Sequence, residues 1–208
     1  MTSRLVRNLV PGASLVAIAL GAGLIWLRLA DDPLAGPPRE TWIGETRLAV
    51  PPAYARLPIG RAGGVQEQLA LAATFPGFEA PRDGAPPLVF LTLAASDRTV
   101  DPADRPATLY ARFLEEERVE RPDGLLMRRF QAGSPYEFED LYIAPPEGRA
   151  FAARCTRPRE KPDGLAETCL TDLRIGALDA QLRYAPDLLP QWDALMTGAR
   201  ALIEGMKR

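Results

Sequence analysis

Residues 9–29, LVPGASLVAIALGAGLIWLRL, constrain the chain most, because an apolar run of this length has few places to go. Ser14 and Arg28 are its polar interruptions, and Arg28 lies near enough to the end to reach lipid headgroups. As a helix rising about 1.5 Å per residue, the run spans roughly 30 Å, the thickness of a bilayer's hydrocarbon core. A cleavable export signal would end in small residues. Here Gly21-Ala22-Gly23 is followed by further apolar residues through Leu27, and cleavage after Ala30 would put Arg28 at the third position back. The run therefore reads as an uncleaved transmembrane signal anchor, with Trp26 near an interface. The other reading, a buried helix of a soluble core, is disfavoured by the length and by the absence of a polar stripe.

Arg4, Arg7 and the terminal amine precede the span, whereas Asp31 and Asp32 directly follow Arg28. The basic excess keeps residues 1–8 cytoplasmic and sends the remainder across the membrane. The expectation is a single-pass protein of a bacterial inner membrane, partnered by that membrane through residues 9–29. Residues 30–40 form a Pro/Gly-rich tether, and 41–208 a single periplasmic domain, long enough for one core and too short for two comfortable ones.

Absences then exclude many function classes. The chain has no histidine, which removes Ser-His-Asp and Cys-His nucleophile systems and histidine-ligated metals. Its 2 cysteines cannot make a four-cysteine metal site. No GxGxxG, P-loop or GxSxG motif occurs. Net charge is −2, with arginines interleaved among carboxylates, so nucleic acid is not an expected partner. Lys161 and Lys207 are the only lysines, a bias that fits the coding composition of a GC-rich bacterium. No cofactor, metal site or catalytic residue is assigned.

Beyond the tether, Thr41–Val50 reads as a strand or strand-turn-strand stopped by Pro51-Pro52, and Gln66–Thr74 as a strand. Leu88–Leu93 is a continuous apolar run between Pro86-Pro87 and Ser96-Asp97, consistent with a central buried strand. A helix is expected over Pro102–Glu117. Asp101 or Asp104 would cap it, and Leu109, Tyr110, Phe113 and Leu114 make its stripe. Glu115-Glu116-Glu117 then reads as a solvated helix face, with Arg112–Glu116 and Glu117–Arg121 as neighbours. Strand-like segments follow at Leu125–Gln131, Asp140–Ala144, Arg149–Thr156, Thr168–Ile175 and Leu178–Tyr184, the last two joined by a tight turn at Gly176-Ala177. The hexapeptide Glu120–Leu125 recurs as Glu160–Leu165, read as repeated turn chemistry because the flanks do not match. Trp192, Leu195, Met196, Ala199, Leu202, Ile203 and Met206 carry the stripe of a closing amphipathic helix over Pro190–Lys207.

By strand alternation Phe151, Ala153 and Cys155 share one face, as do Cys169, Leu173 and Ile175, so both thiols can enter one layer. In an exported domain this favours a Cys155–Cys169 disulfide; two free buried thiols are the alternative. The order Cys155…Cys169, then Leu182-Arg183-Tyr184, then Leu189-Pro190-x-Trp192 opening the last helix, resembles the tail of uncharacterised bacterial membrane-anchored envelope proteins, some of them immunity-like. The resemblance covers about 150–208 and implies a binding domain, with no catalytic residue carried over.

The expected architecture is α+β: an N-terminal transmembrane helix, then one mainly antiparallel sheet with two amphipathic helices packed on it. The expected function is non-enzymatic binding of a protein partner in the envelope, as an assembly accessory or immunity-like factor. Two other readings stay open. An envelope enzyme such as a glycan hydrolase would need a carboxylate pair drawn from Glu139, Asp140 and Asp172. A small-molecule or lipid carrier would need an enclosed apolar cavity.

Overall fold

Strict alternation along the later half of the chain builds the central sheet. In β11 (Leu178–Tyr184) Leu178, Ala180, Leu182 and Tyr184 are buried and the residues between them face outward. β10 (Cys169–Ile175) repeats the pattern with Cys169, Thr171, Leu173 and Ile175. Gly176-Ala177 joins the two strands, with Ile175 opposite Leu178. Gly176 has φ of +64°, the left-handed value that the first position of such a turn requires.

The computed structural model describes residues 34–82, 87–97, 99–157 and 167–208. The expected anchor at 9–29 and the second copy of the repeat at 160–165 lie outside them. Among the described residues no helix is long and apolar enough to cross a membrane. Gly36–Arg208 form one compact unit. Its main sheet has 8 strands in the order β4-β5-β11-β10-β9-β8-β7-β6. The other members are β4 (Gln68–Thr74), β5 (Leu88–Ala95), β6 (Val119–Glu120), β7 (Leu126–Arg129), β8 (Glu139–Ile143) and β9 (Ala152–Thr156). Every pairing within it is antiparallel. A second sheet of 3 strands, ordered β2-β1-β3, holds β1 (Arg39–Ile43), β2 (Thr46–Val50) and β3 (Gly64–Gln66). β3 lies parallel to β1, and after Glu67 the chain passes straight into β4 of the main sheet. The short helix α1 (Pro58–Ala62) precedes β3.

The inner face of the main sheet carries the principal core. Leu69, Leu71, Val89, Leu91, Leu93, Leu178 and Leu182 have no solvent exposure. They pack with Leu195, Ala199 and Ile203 of the closing helix α2 (Trp192–Met206), and with Ile43, Leu48 and Val50 of the small sheet. Each such side chain contributes roughly 1.5–3 kcal/mol on burial. The α-helix begins at Trp192, two residues later than the expected Pro190, because Pro186–Gln191 wind as a 3-10 helix. Asp193 in the first turn suits the positive end of the helix dipole. Leu48 bridges Lys207, and the Arg208 N–H donates to the Arg47 carbonyl, so residues 207–208 cover the outer edge of β2.

The expected helix over 102–117 is corrected. Pro102–Asp104 and Ala111–Phe113 are 3-10 turns flanking a π-helical Pro106–Tyr110, and Leu114 is extended. Strand pairing takes the last turns away from the helix: Gln131 N–H donates to Phe113 C=O and Glu115 N–H to Arg129 C=O. Leu114 bridges Phe130. The glutamates Glu116 and Glu117 are exposed, but in the irregular link before β6 and not on a helix. The Asp101 cap is present, its side chain accepting from the Ala103 N–H. Tyr110, Leu114, Phe130, Leu141 and Ile143 form a smaller core on the outer face of the sheet.

Cys155 and Cys169 are direct cross-strand partners and are joined by a disulfide across a separation of 14 residues. The turn at Glu120–Leu125 shows the chemistry expected of it. Gly124 has φ of +78°, and the Asp123 carboxylate accepts from the Leu125 N–H.

Phe78 and Gly198 lock α2 to the turn after β4. Phe78 holds φ of +52°, and a Cβ on Gly198 would come within 2.3 Å of its ring. Gly198→Ala should therefore destabilise by about 1–3 kcal/mol through overpacking, against the gain of up to about 1 kcal/mol that alanine normally brings to a helix. Gly205→Ala, with open space at its Cβ, should show that ordinary gain. Urea unfolding of the two variants checks both signs. Replacing Cys155 and Cys169 together by alanine should lower stability by about 3 kcal/mol in the chain-entropy model, read from the same denaturation curves.

Candidate functional site

The three carboxylates considered for acid–base chemistry each end on arginine. Glu139 on β8 accepts from Arg154 Nη1 at 2.6 Å, and both side chains are largely enclosed. Arg154 also lies over two rings, 4.9 Å from the centroid of Tyr136 and 5.7 Å from that of Tyr110. Tyr110 meets Tyr136 and Phe130 edge-on at 5.3 and 5.8 Å. Burial pushes the Tyr110 hydroxyl above its ordinary pKa. Asp172 accepts from Arg105 Nη1 at 2.7 Å and from Gln181 Nε2 at 3.0 Å. Asp140, on the opposite face from its neighbour Glu139, faces Arg129 and Arg157, each at 4.0 Å.

Glycosidic chemistry needs two carboxylates converging across about 5–9.5 Å. Glu139 lies opposite Thr156, whose neighbour across the next strand is Thr168. Asp172 is four residues further along, which is about 13 Å of strand. The structure therefore does not bring these carboxylates together, and the hydrolase reading loses its residues. Among the described residues no group of three Asp, Glu or Cys side chains is placed to hold a metal ion.

Three concavities among the described residues are surface grooves. One of ≈ 390 Å³ lies beside Gly44, Ser96 and Gly176, and one of ≈ 260 Å³ beside Arg149, Arg174 and Arg200. A third, of ≈ 170 Å³, lies between the 106–114 segment and β7–β8. All are open to solvent, whereas a lipid carrier needs an enclosed apolar chamber.

A different feature stands out on the small sheet. Alternation sends Ile43, Leu48 and Val50 into the core, so Trp42 faces outward. Val65, its cross-strand partner on β3, is 85% exposed. Leu57 and Ile59, on the turn and helix entering β3, are 53% and 66% exposed. Trp42 is held in place: its indole N–H donates to Glu40 at 3.1 Å, Glu40 accepts from Arg47 at 2.5 Å, and the Arg47 guanidinium lies 5.9 Å from the indole centroid. The Arg47 hydrogen bond, with help from the Trp42 N–H and against slight burial, keeps the Glu40 carboxyl below the usual carboxylate range. An apolar ring fixed in place beside exposed apolar side chains is the arrangement of a protein-contact hot spot. Reading Thr41-Trp42-Ile43 for alternation exposes Trp42, but the parallel neighbour Val65 is a tertiary fact.

No protein-family model matches the sequence, and no curated protein matches it significantly. Among solved structures the fold is similar to Smlt3025, an immunity protein of the Stenotrophomonas maltophilia type IV secretion system. The likeness has a TM-score of 0.62 at 15% identity, over 83% of this chain and 94% of that one. The Neisseria meningitidis iron-regulated outer membrane lipoprotein FrpD overlaps with a TM-score of 0.46 at 12% identity, over 84% of this chain and 93% of that one, below the level that establishes a shared fold.

The role of Glu139 in this arrangement is to neutralise Arg154 between two aromatic rings. Glu139→Gln should cost about 1–3 kcal/mol by leaving an enclosed guanidinium without its counter-charge, measured as a lowered urea midpoint.

Proposed function

We propose that this chain is a non-enzymatic envelope protein, anchored in a bacterial inner membrane through residues 9–29, whose periplasmic unit binds a protein partner in an immunity-like role. The observation that carries the reading is the clamped Trp42 beside exposed Val65, its partner on the neighbouring strand. An outward aromatic held next to an exposed aliphatic side chain suits a surface that another protein covers. The likeness in fold to an immunity protein over most of both chains supports the immunity-like form of the role over the assembly-accessory form. The basic residues before the span, and a disulfide that suits an oxidising compartment, support the topology.

The test places a photo-crosslinking phenylalanine analogue at position 42 in the full-length chain, expressed in its own host. Crosslinking should trap one reproducible protein partner, and Trp42→Ala should weaken its binding by about tenfold or more, as removal of a hot-spot aromatic does. The same partner should be toxic when expressed without this chain. A harmless envelope component trapped at position 42 would favour the accessory role, and no reproducible adduct would count against a partner at this face. The Glu40 clamp is present above the ordinary carboxylate pKa and is lost as pH falls through the lowered folded value. Binding should therefore weaken only on strong acidification.

A further inference from the structure

On the outer face of the main sheet, carboxylates neutralise Arg154, Arg105 and Arg174. Arg118 and Arg128, which line the ≈ 170 Å³ groove, lack that neutralisation. Among the described residues, no carboxylate lies within ion-pair distance of either. Arg128 Nη2 donates to the Glu115 carbonyl at 2.5 Å, while its Nε is enclosed and has no acceptor. Burial pushes the Arg128 pKa down, and the neighbouring Arg118 charge pushes it further the same way. The floor of the groove is apolar, formed by Leu114, Leu141 and Ile143, and the exposed Glu147 also lines it, without an ion pair to either arginine. Two arginines against one carboxylate leave an excess of positive charge above the apolar floor, which invites a ligand that is anionic at one end and apolar at the other. The space is well below the about 300–1,000 Å³ typical of small-molecule sites, and suits a single side chain.

We propose that this groove recognises a segment of a protein partner in which an apolar side chain, seated over Leu141 and Ile143, stands next to a carboxylate that accepts hydrogen bonds from Arg118 and Arg128. It rests on the protein-binding reading above only for the class of ligand, because it uses the opposite face of the sheet from Trp42.

The experiment uses the full chain in detergent micelles and two fluorescein-labelled peptides, Gly-Ser-Leu-Asp-Glu-Leu-Ser-Gly and its Asn-Gln counterpart, read by anisotropy, with hexanoate as a free-carboxylate competitor. The acidic peptide should bind about tenfold more tightly than the amide peptide, and Arg118→Gln should remove about that factor. Arg118 is exposed, so this variant leaves the fold intact even if Arg128→Gln does not. Trp42→Ala should leave peptide binding unchanged, which separates failure here from failure at the other face. Equal affinity for the two peptides, unchanged binding by the Arg118 variant, or saturation by hexanoate without binding of either peptide would overturn the proposal.

Discussion

The packing of one amphipathic helix on one face of the eight-stranded sheet organises the rest of the molecule. Leu195, Ala199 and Ile203 have no exposure and are buried with the inward leucines of β4, β5 and β11. That contact places the residues that follow the helix beside the small sheet, which they hold through the Leu48–Lys207 bridge and the Arg208 N–H. Once Ile43, Leu48 and Val50 are committed to this core, the pleat leaves Glu40, Trp42 and Arg47 on the outside. The outward patch is thus a geometric consequence of how the helix is covered. What is specific to it is the Glu40–Arg47 pair that immobilises the indole, because a surface tryptophan needs no such clamp for stability.

The outer face obeys a different rule. A sheet buried on both sides would show continuous apolar strands, yet here the outward positions of β8 to β11 include Glu139, Arg154, Asp172, Arg174 and Asp179. The segment 102–114 covers only part of this face, so the polar positions beside it are half-buried and must be paired. Arg154 shows how: its charge is met by Glu139 and its plane by Tyr110 and Tyr136. Glu139 and Asp172, two of the three carboxylates considered for catalysis, are committed to this neutralisation.

Much of the fold was legible in the chain because alternation and turn chemistry are local. Leu178–Tyr184, the Gly176 turn, the Asp123-Gly124 turn and the stripe of the closing helix each follow from side-chain spacing or φ demand, and the cysteine pair from alternation in two strands. The helix expected over 102–117 failed because its apolar spacing is real but its last residues find backbone partners at 129–131, a long-range pairing that outweighs local propensity. Gln66–Thr74 read as one strand, whereas Glu67 divides it between two sheets, a change of partner that spacing does not record. Candidate chemistry suffered most. Glu139, Asp140 and Asp172 are the candidate carboxylates of the sequence, but the arginines opposite them come from β7, β9, the 105 turn and residue 157, none adjacent in sequence.

The Trp42 patch and the Arg118–Arg128 groove lie on opposite sides of the main sheet, and this limits how a partner can be held. The small sheet joins the inner core, whereas the groove of Arg118 and Arg128 belongs to the outer one. A flat interface cannot include both. A single partner engaging both must wrap an edge of the sheet, with an extended arm reaching the groove while its body covers Trp42. Arms of that kind carry their recognition in a few side chains, and a groove sized for one apolar residue, with Arg118 and Arg128 outnumbering Glu147 on its walls, is suited to read them. A rigid partner, by contrast, would use one face alone and leave the other to a second ligand. The chemistry differs accordingly: aromatic contact area and shape at Trp42, and charge pairing over an apolar floor at the groove.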